Sequence, residues 1–283
     1  MDEDPRPTVA ELHRATAEVL GDLDAARWMC EVAFAHRPLS EIGREPVTER
    51  MVAHLDSMVA RHRAGEPLQY VLGEWSFRRL DLAIDPRVLI PRPETEWVAG
   101  RALELAADLP GPRTLVDLGT GSGAIGLSLA DELPIDGTTV WMTDRDPRAL
   151  EVARANLAGI GRAARNVRLA EGSWFEALPP EVRAHVIVSN PPYVAEGDPA
   201  LEASVIEWEP EGALLAGADG LDDLRVIVNG APERLHPGGW LVCEIGAAQG
   251  AAVTDLARAA GFVEVSVEPD AAGHDRMLVA RAV

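Results

Sequence analysis

Asn190-Pro191-Pro192-Tyr193 combines groups that can hold a nitrogen attached to a planar π-system. The Asn190 side-chain carbonyl and the Pro191 backbone carbonyl can both accept hydrogen bonds from one NH2 group. The Tyr193 ring offers a face on which a flat group could stack. The run before it, His185-Val186-Ile187-Val188-Ser189, is apolar and β-branched, which predicts a buried parallel strand. The prolines stop that strand, since neither donates to a ladder and each biases its predecessor away from helix. Asn190 is therefore expected at a strand's carboxyl end, where open α/β sheets place their ligands.

A second group of residues points to a nucleoside-bearing ligand. Asp117-Leu118-Gly119-Thr120-Gly121-Ser122-Gly123 joins a predicted strand to a predicted helix. Its glycines allow close backbone approach and φ > 0, and the helix N-terminus favours a carboxylate or phosphate. The GxGxG spacing departs from the GxGxxG dinucleotide fingerprint, which lowers the case for a nicotinamide enzyme. Asp144 ends the next strand, about 20 residues on, where an acid can accept hydrogen bonds from ribose hydroxyls. Asp146, directly before Pro147, is the better helix cap, which leaves Asp144 for ligand. Trp174, in Glu171-Gly172-Ser173-Trp174-Phe175 after a third short strand, could flank an adenine ring or pack into the core. A glycine turn, a ribose-reading acid and an NPPY turn on successive strands together suggest S-adenosylmethionine, a nucleoside donor without phosphate.

The elements that must position these residues follow from periodicity. Residues 7 to about 66 read as helical. One stripe comprises Met51, Leu55, Met58 and Val59 before Gly65, another Leu12, Thr16, Val19 and Leu20 before Gly21. They suggest the core of a small helical domain. Leu80, Leu82 and Ile84 alternate with Asp81 and Ala83, which predicts a strand in a connecting hairpin. Beyond about residue 113, strand and helix patterns alternate, the signature of a mostly parallel, doubly wound sheet. The expected domains are a helical domain over 1–67, a β-hairpin linker over 68–93 and an α/β domain over 94–283.

The chain's 283 residues carry a formal charge of −20, which argues against unaided binding to a polyanion. Every basic side chain other than histidine is Arg, so no mechanism that needs a lysine is open. Cys30 and Cys243 read as buried reduced thiols, and no metal-ligand spacing appears among the His and Cys residues. No apolar run approaches a membrane span and no signal peptide is evident, so a cytoplasmic location is the expectation. His274-Asp275, between the last two strands, reads as a hairpin turn and not as an acid–base pair. Glu244 lies near the expected pocket without an assigned role.

Taken together, the sequence resembles the protein-(glutamine-N(5)) methyltransferases of the HemK/PrmC type, over nearly the whole chain. The resemblance rests on Gly65-Glu66-Pro67-Leu68-Gln69-Tyr70, Leu89-Ile90-Pro91-Arg92-Pro93-Glu94-Thr95-Glu96, Asp117–Gly123, Gly172–Phe175, Ser189–Tyr193 and Gly273-His274-Asp275-Arg276. It implies a class I S-adenosylmethionine-dependent methyltransferase, Rossmann-like, with a mostly parallel seven-stranded sheet behind an N-terminal helical domain that helps recognise the substrate protein. Its substrate would be the glutamine of a Gly-Gly-Gln tripeptide in peptide chain release factors, and its product S-adenosylhomocysteine. Gly119, Thr120, Gly121, Ser122, Gly123, Asp144, Trp174 and Asn190 would contact the donor. Asn190, Pro191, Pro192 and Tyr193 would hold the glutamine, with Asn190, Pro191 and Tyr193 as the candidate catalytic residues. A monomer that binds no membrane and no nucleic acid directly is expected. Two other readings stay open at this level: an adenine-N(6) methyltransferase acting on nucleic acid, and a donor-binding scaffold without catalysis.

Overall fold

The computed structural model describes residues 6–109, 111–199 and 201–283. The chain divides into two compact units, with the boundary between Glu74 and Trp75. The first holds α1 (Val9–Leu20), α2 (Leu23–Ala33), α3 (Leu39–Ile42), α4 (Glu49–Arg63) and α5 (Leu68–Leu72). Local sequence sets the ends. Thr8 and Glu11 form a capping box at α1, and Gly21 closes it in the left-handed conformation at φ 69°. Asp22 and Thr48 cap α2 and α4. Val9, Met29, Cys30, Phe34, Ile42, Leu55 and Met58 form the core of this unit. Of the expected stripes, Leu55 and Met58 belong to it and Leu12, Leu20, Met51 and Val59 pack against it, but Val19 is 56% exposed and lies off the buried face of α1. The expected hairpin linker also begins differently: Leu68–Leu72 is helical, closed by Gly73 at φ 79°.

The second unit opens within β1 (Glu74–Phe77), which forms a hairpin with β2 (Leu80–Ala83) whose turn holds Arg78 at φ 53°. It continues through α6 (Thr95–Ala107), β3 (Arg113–Leu118), α7 (Ala124–Glu132), β4 (Thr138–Asp144), α8 (Pro147–Gly159), β5 (Val167–Glu171) and β6 (Ala184–Ser189). A short α9 (Ala203–Trp208), α10 (Asp222–Arg234), β7 (Leu235–Glu244), α11 (Gly250–Ala259), β8 (Glu264–Pro269) and β9 (Asp275–Arg281) complete it. The seven-stranded sheet has the order β5-β4-β3-β6-β7-β9-β8. β5, β4, β3, β6 and β7 run parallel, and β9 is antiparallel to both neighbours. Near-continuous apolar strands such as Ala184–Ser189 are buried on both faces, as a parallel sheet covered by helices requires. β7 begins at Leu235, before a proline and two glycines. A register shift opposite Ala184 and Val186 absorbs Pro237-Gly238-Gly239. His274 sits exposed in the β8–β9 turn, where its carbonyl accepts from the Asp270 N–H.

Candidate active site

Strand order reverses between β3 and β6, because β4 and β5 follow on one side and β7 on the other. Helices must diverge there, opening a crevice above the carboxyl ends of the two strands. Register then decides what reaches the crevice. Leu118 pairs with Thr143 and with Ser189, and Ser189 pairs with Cys243. The residues that come next, Gly119, Asp144, Asn190 and Glu244, therefore emerge at one level of the sheet edge. The Ser189 hydroxyl donates to the Leu118 carbonyl over 2.7 Å and ties the two central strand ends together.

The glycine turn is built for close backbone approach. Gly119, Gly121 and Gly123 take φ of 69°, 55° and 90°, a region that side chains make costly. A Cβ on Gly119 would come within 3.2 Å of the Trp174 ring, whereas one on Gly121 would meet nothing within 4 Å. Asp144 braces the turn: its Oδ2 accepts from the Gly121 N–H over 2.9 Å, and its Oδ1 accepts from the Asp146 N–H over 2.9 Å. Asp146 caps α8, as its place before Pro147 suggests, while Asp144 is not free of protein partners but has lone pairs to spare. Beneath the turn lies fully buried Asp117. Its Oδ2 accepts from the Thr120 hydroxyl over 2.5 Å and the Gly126 N–H over 2.9 Å, and its Oδ1 has no partner. Trp174 takes φ 48° and donates from Nε1 to Asp223 over 3.2 Å.

Around Asn190, side chains from four separate segments meet. The Asn190 Nδ2 donates to the Thr95 hydroxyl over 3.1 Å, and that hydroxyl donates to the Glu244 Oε2 over 2.7 Å. The Tyr193 hydroxyl donates to the Glu244 Oε1 over 3.1 Å. Gln249 holds the backbone of the same turn, donating to the Tyr193 carbonyl over 2.9 Å and to the Gly220 carbonyl over 3.1 Å. Burial pushes the Glu244 carboxyl up to about 7, against the pull of its two hydroxyl donors and Arg276. Burial also raises the Tyr193 phenol well above its ordinary value, with Glu244 beside it adding to the effect. Thr95 was not among the residues expected at the site, and Glu244 was expected near the pocket without a role. The signal for Thr95 was present, since it lies inside the Leu89–Glu96 motif.

A cavity of about 370 Å³ lies over this sheet edge. Of the expected residues, Gly119, Thr120, Gly121, Ser122, Asp144, Trp174, Asn190 and Pro192 line it. Gly123, Pro191 and Tyr193 are not among the lining residues; Tyr193 packs against the hydrophobic core of the unit. Thr95 and Asp117 also line the cavity, together with Pro210–Ala213, a wall segment that sequence reasoning had left unassigned. Burial raises Asp117 to about 7, and the neighbouring Asp144 charge adds to the rise; burial raises Asp144 as well. Two desolvated carboxylates at a cavity floor are relieved by a cationic ligand. S-adenosylmethionine, with its sulfonium and ammonium charges and no phosphate, suits that donor set. The arginines at the rim are already engaged: Arg87 with Asp85 and Glu151, Arg148 with Asp146, and Arg145 with the Gly212 carbonyl.

Comparison with known proteins agrees with this geometry. The Methyltransferase small domain family matches residues 102–207, and the PrmC N-terminal domain family matches residues 22–73. Among solved structures, a methyltransferase from Pyrococcus furiosus superposes with a TM-score of 0.54 at 19% identity, covering 81% of this chain and all of that one. The 16S rRNA N2 G1207 methyltransferase of Thermus thermophilus, solved with AdoMet and guanosine, gives 0.52 at 20% identity over 74% of this chain and 50% of its own. Both likenesses establish the class I methyltransferase fold. The release factor glutamine methyltransferase of Vibrio cholerae is 43% identical over 90% of this chain and 87% of its own length. That of Burkholderia pseudomallei is 42% identical over 96% and 95%. With relatives this similar along nearly its whole length, the chain belongs to the release factor glutamine methyltransferase family.

Proposed function

We propose that this protein transfers a methyl group from S-adenosylmethionine to the side-chain amide nitrogen of the glutamine in the Gly-Gly-Gln tripeptide of peptide chain release factors. The observation that carries the reading is the Asn190 carboxamide at the cavity wall, with one hydrogen of its NH2 group donated to Thr95. Its Oδ1 is then left to accept from a substrate NH2.

In this reading Asn190 and the Pro191 carbonyl accept the two amide hydrogens, and Tyr193, which lies outside the cavity lining, braces their turn through its hydroxyl on Glu244 and does not stack on the carboxamide. An amide nitrogen is a weak nucleophile because its lone pair is delocalised into the carbonyl. Accepting its hydrogens raises the electron density on nitrogen as the new C–N bond forms and the S–C bond breaks. The methylated nitrogen is cationic and strongly acidic, so it passes its proton to solvent water after the methyl has arrived and no strong general base is required. When bound, the donor supplies an electrophilic methyl on a sulfonium with an excellent leaving group. Most of the acceleration then comes from positioning, for which effective molarities of ~10⁵ M or more are known. Gly119, Thr120, Gly121 and Ser122 would cradle the amino-acid end of the donor, Asp144 the ribose hydroxyls and Trp174 the adenine.

The N-terminal helical unit is proposed to dock the release factor. A monomer working in the cytoplasm fits this role, and no described helix is long and apolar enough to cross a membrane. The test is incubation of the purified protein with isotopically labelled donor and a purified release factor, followed by mass mapping. Label on the Gly-Gly-Gln glutamine supports the reading; label only on nucleic acid would replace it by adenine methylation.

A further inference from the structure

We propose that Thr95 and Glu244 are positioning residues that fix which way the Asn190 carboxamide points, and so make the site select an amide over a carboxylate. The proposal deepens the reading of Asn190 as the acceptor of the substrate NH2 and rests on it. A carboxamide is nearly symmetric in shape, so packing alone does not distinguish its oxygen from its nitrogen. Chemistry does. Above about pH 7, where Glu244 is ionised, it is an acceptor only, so the Thr95 hydroxyl, 2.7 Å from Oε2, must spend its single hydrogen on the carboxylate. That leaves Thr95 Oγ1 to accept from Asn190, 3.1 Å away, and of the two ends of the carboxamide the NH2 is the one that can donate.

The polarity of the chain Asn190→Thr95→Glu244 is therefore set at its buried end. Glu244 cannot turn away, because Tyr193 donates to its other oxygen over 3.1 Å and the residue is 0% exposed. Asn190 lines the cavity, and its Oδ1 stays outside this chain of hydrogen bonds as an acceptor for a ligand there. A glutamine side chain can donate to it; an ionised glutamate cannot and is repelled by the same oxygen. Were the carboxamide turned over, the site would offer NH2 donors and would favour the carboxylate. The three residues lie far apart in sequence, at the start of α6 and the ends of β6 and β7, and only the sheet register and the α6 N-terminus bring them together.

The test compares Thr95→Ser, which keeps the hydroxyl, with Thr95→Val, which keeps the shape without it. Turnover and KM are measured with a purified release factor and S-adenosylmethionine. S-adenosylhomocysteine binding is followed by calorimetry, and inhibition by the release factor carrying Glu in place of the Gly-Gly-Gln glutamine is measured alongside. The serine variant should stay within about threefold of wild type. The valine variant should lose turnover by about 10–100-fold, the worth of a buried hydrogen bond or two, with donor binding nearly unchanged. Its preference for the glutamine over the glutamate protein should narrow by about tenfold or more, which a merely structural role of Thr95 would not cause. Glu244→Gln provides a second arm. It replaces the acceptor-only group with one that can also donate towards Thr95, and should lower turnover and narrow the preference in the same way. The proposal is overturned if both Thr95→Val and Glu244→Gln keep wild-type turnover and discrimination. If the wild-type protein itself leaves the release factor unmethylated, the parent reading fails first and takes the proposal with it.

Discussion

Arg92 and Glu209, 117 residues apart in the chain, form an ion pair beside the cavity, and Glu209 also accepts from the Ile90 N–H over 3.0 Å. The Glu209 side chain is only 2% exposed, while Arg92 keeps 30% of its side chain in solvent. Glu209 immediately precedes Pro210–Ala213, the segment that walls the cavity. Arg145 holds the same segment from the other side, donating to the Gly212 carbonyl over 2.7 Å.

Arg92→Ala should therefore act on stability and on the cavity together. It leaves a buried carboxylate with a single backbone donor, a change worth about 2 kcal/mol given the partial exposure of Arg92. The expected fall in Tm is about 4–8 °C. S-adenosylhomocysteine should bind more weakly, because the loosened wall covers it less well. Calorimetric unfolding and titration of the variant check both, and an unchanged Tm would show that the pair contributes nothing net.

Asp144→Asn should weaken donor binding while sparing turnover at saturation. The carboxylate would meet the ribose hydroxyls by charge-assisted hydrogen bonds worth about 1.5–3 kcal/mol, or roughly 10–150-fold in affinity. An amide keeps an oxygen for only one of the two backbone N–H groups at Gly121 and Asp146, so part of the loss comes through the turn. Titration calorimetry with S-adenosylhomocysteine reads it directly. Affinity within threefold of wild type would remove Asp144 from the donor site.

The two central constellations were legible because they lie on single segments whose local rules are strict. A β-branched run stopped by Pro191-Pro192 puts Asn190 at a strand end, and glycines after Asp117 demand a turn with φ > 0. Asp144 was legible from its distance to that turn. The partners of Glu244 were not, since Thr95 lies 149 residues away and only the β6–β7 register and the approach of α6 create the contact. The wall at Pro210–Ala213 was hidden for a similar reason. Its position depends on the tertiary tethers at Glu209 and Gly212, and the short α9 before it lacks a strong periodic signal. Leu68–Leu72 misled as part of a hairpin because five residues are too few for a helical period to declare itself.

Asn190→Ala should separate binding from chemistry. The variant removes the acceptor proposed for the substrate NH2 but leaves the glycine turn, Asp117 and Asp144 in place. Turnover should fall by about 10²–10³-fold, the scale seen when one preorganised electrostatic partner of the reacting group is lost. S-adenosylhomocysteine affinity should stay within a few-fold. Single-turnover methylation of a release factor under saturating donor measures the first quantity and calorimetry the second. Turnover near the wild-type value would remove Asn190 from the reaction.

Glu244 should also make folding stability depend on pH in a direction opposite to that of a salt-bridged acid. Burial raises its carboxyl from an ordinary value of 4.5 to about 7, so the folded state disfavours the charged form. The unfolded chain loses the proton near pH 4.5 and the folded chain only near 7. Stability associated with this group is thus complete below about pH 4.5 and declines as the pH rises through 7. The loss approaches about 3 kcal/mol, at ~1.4 kcal/mol for each unit of displacement. Asp117, raised by burial to about 7 as well, adds a separate decline of the same sign. Glu244→Gln cannot titrate and keeps a carbonyl to accept from Thr95 or Tyr193. Relative to wild type, the variant should gain stability between pH 5 and pH 8 even as methyl transfer falls. Urea unfolding of both proteins at the two pH values isolates the effect of this one group, because every other titration is common to them. Parallel pH profiles would mean that the Glu244 carboxylate is not desolvated as its complete burial implies.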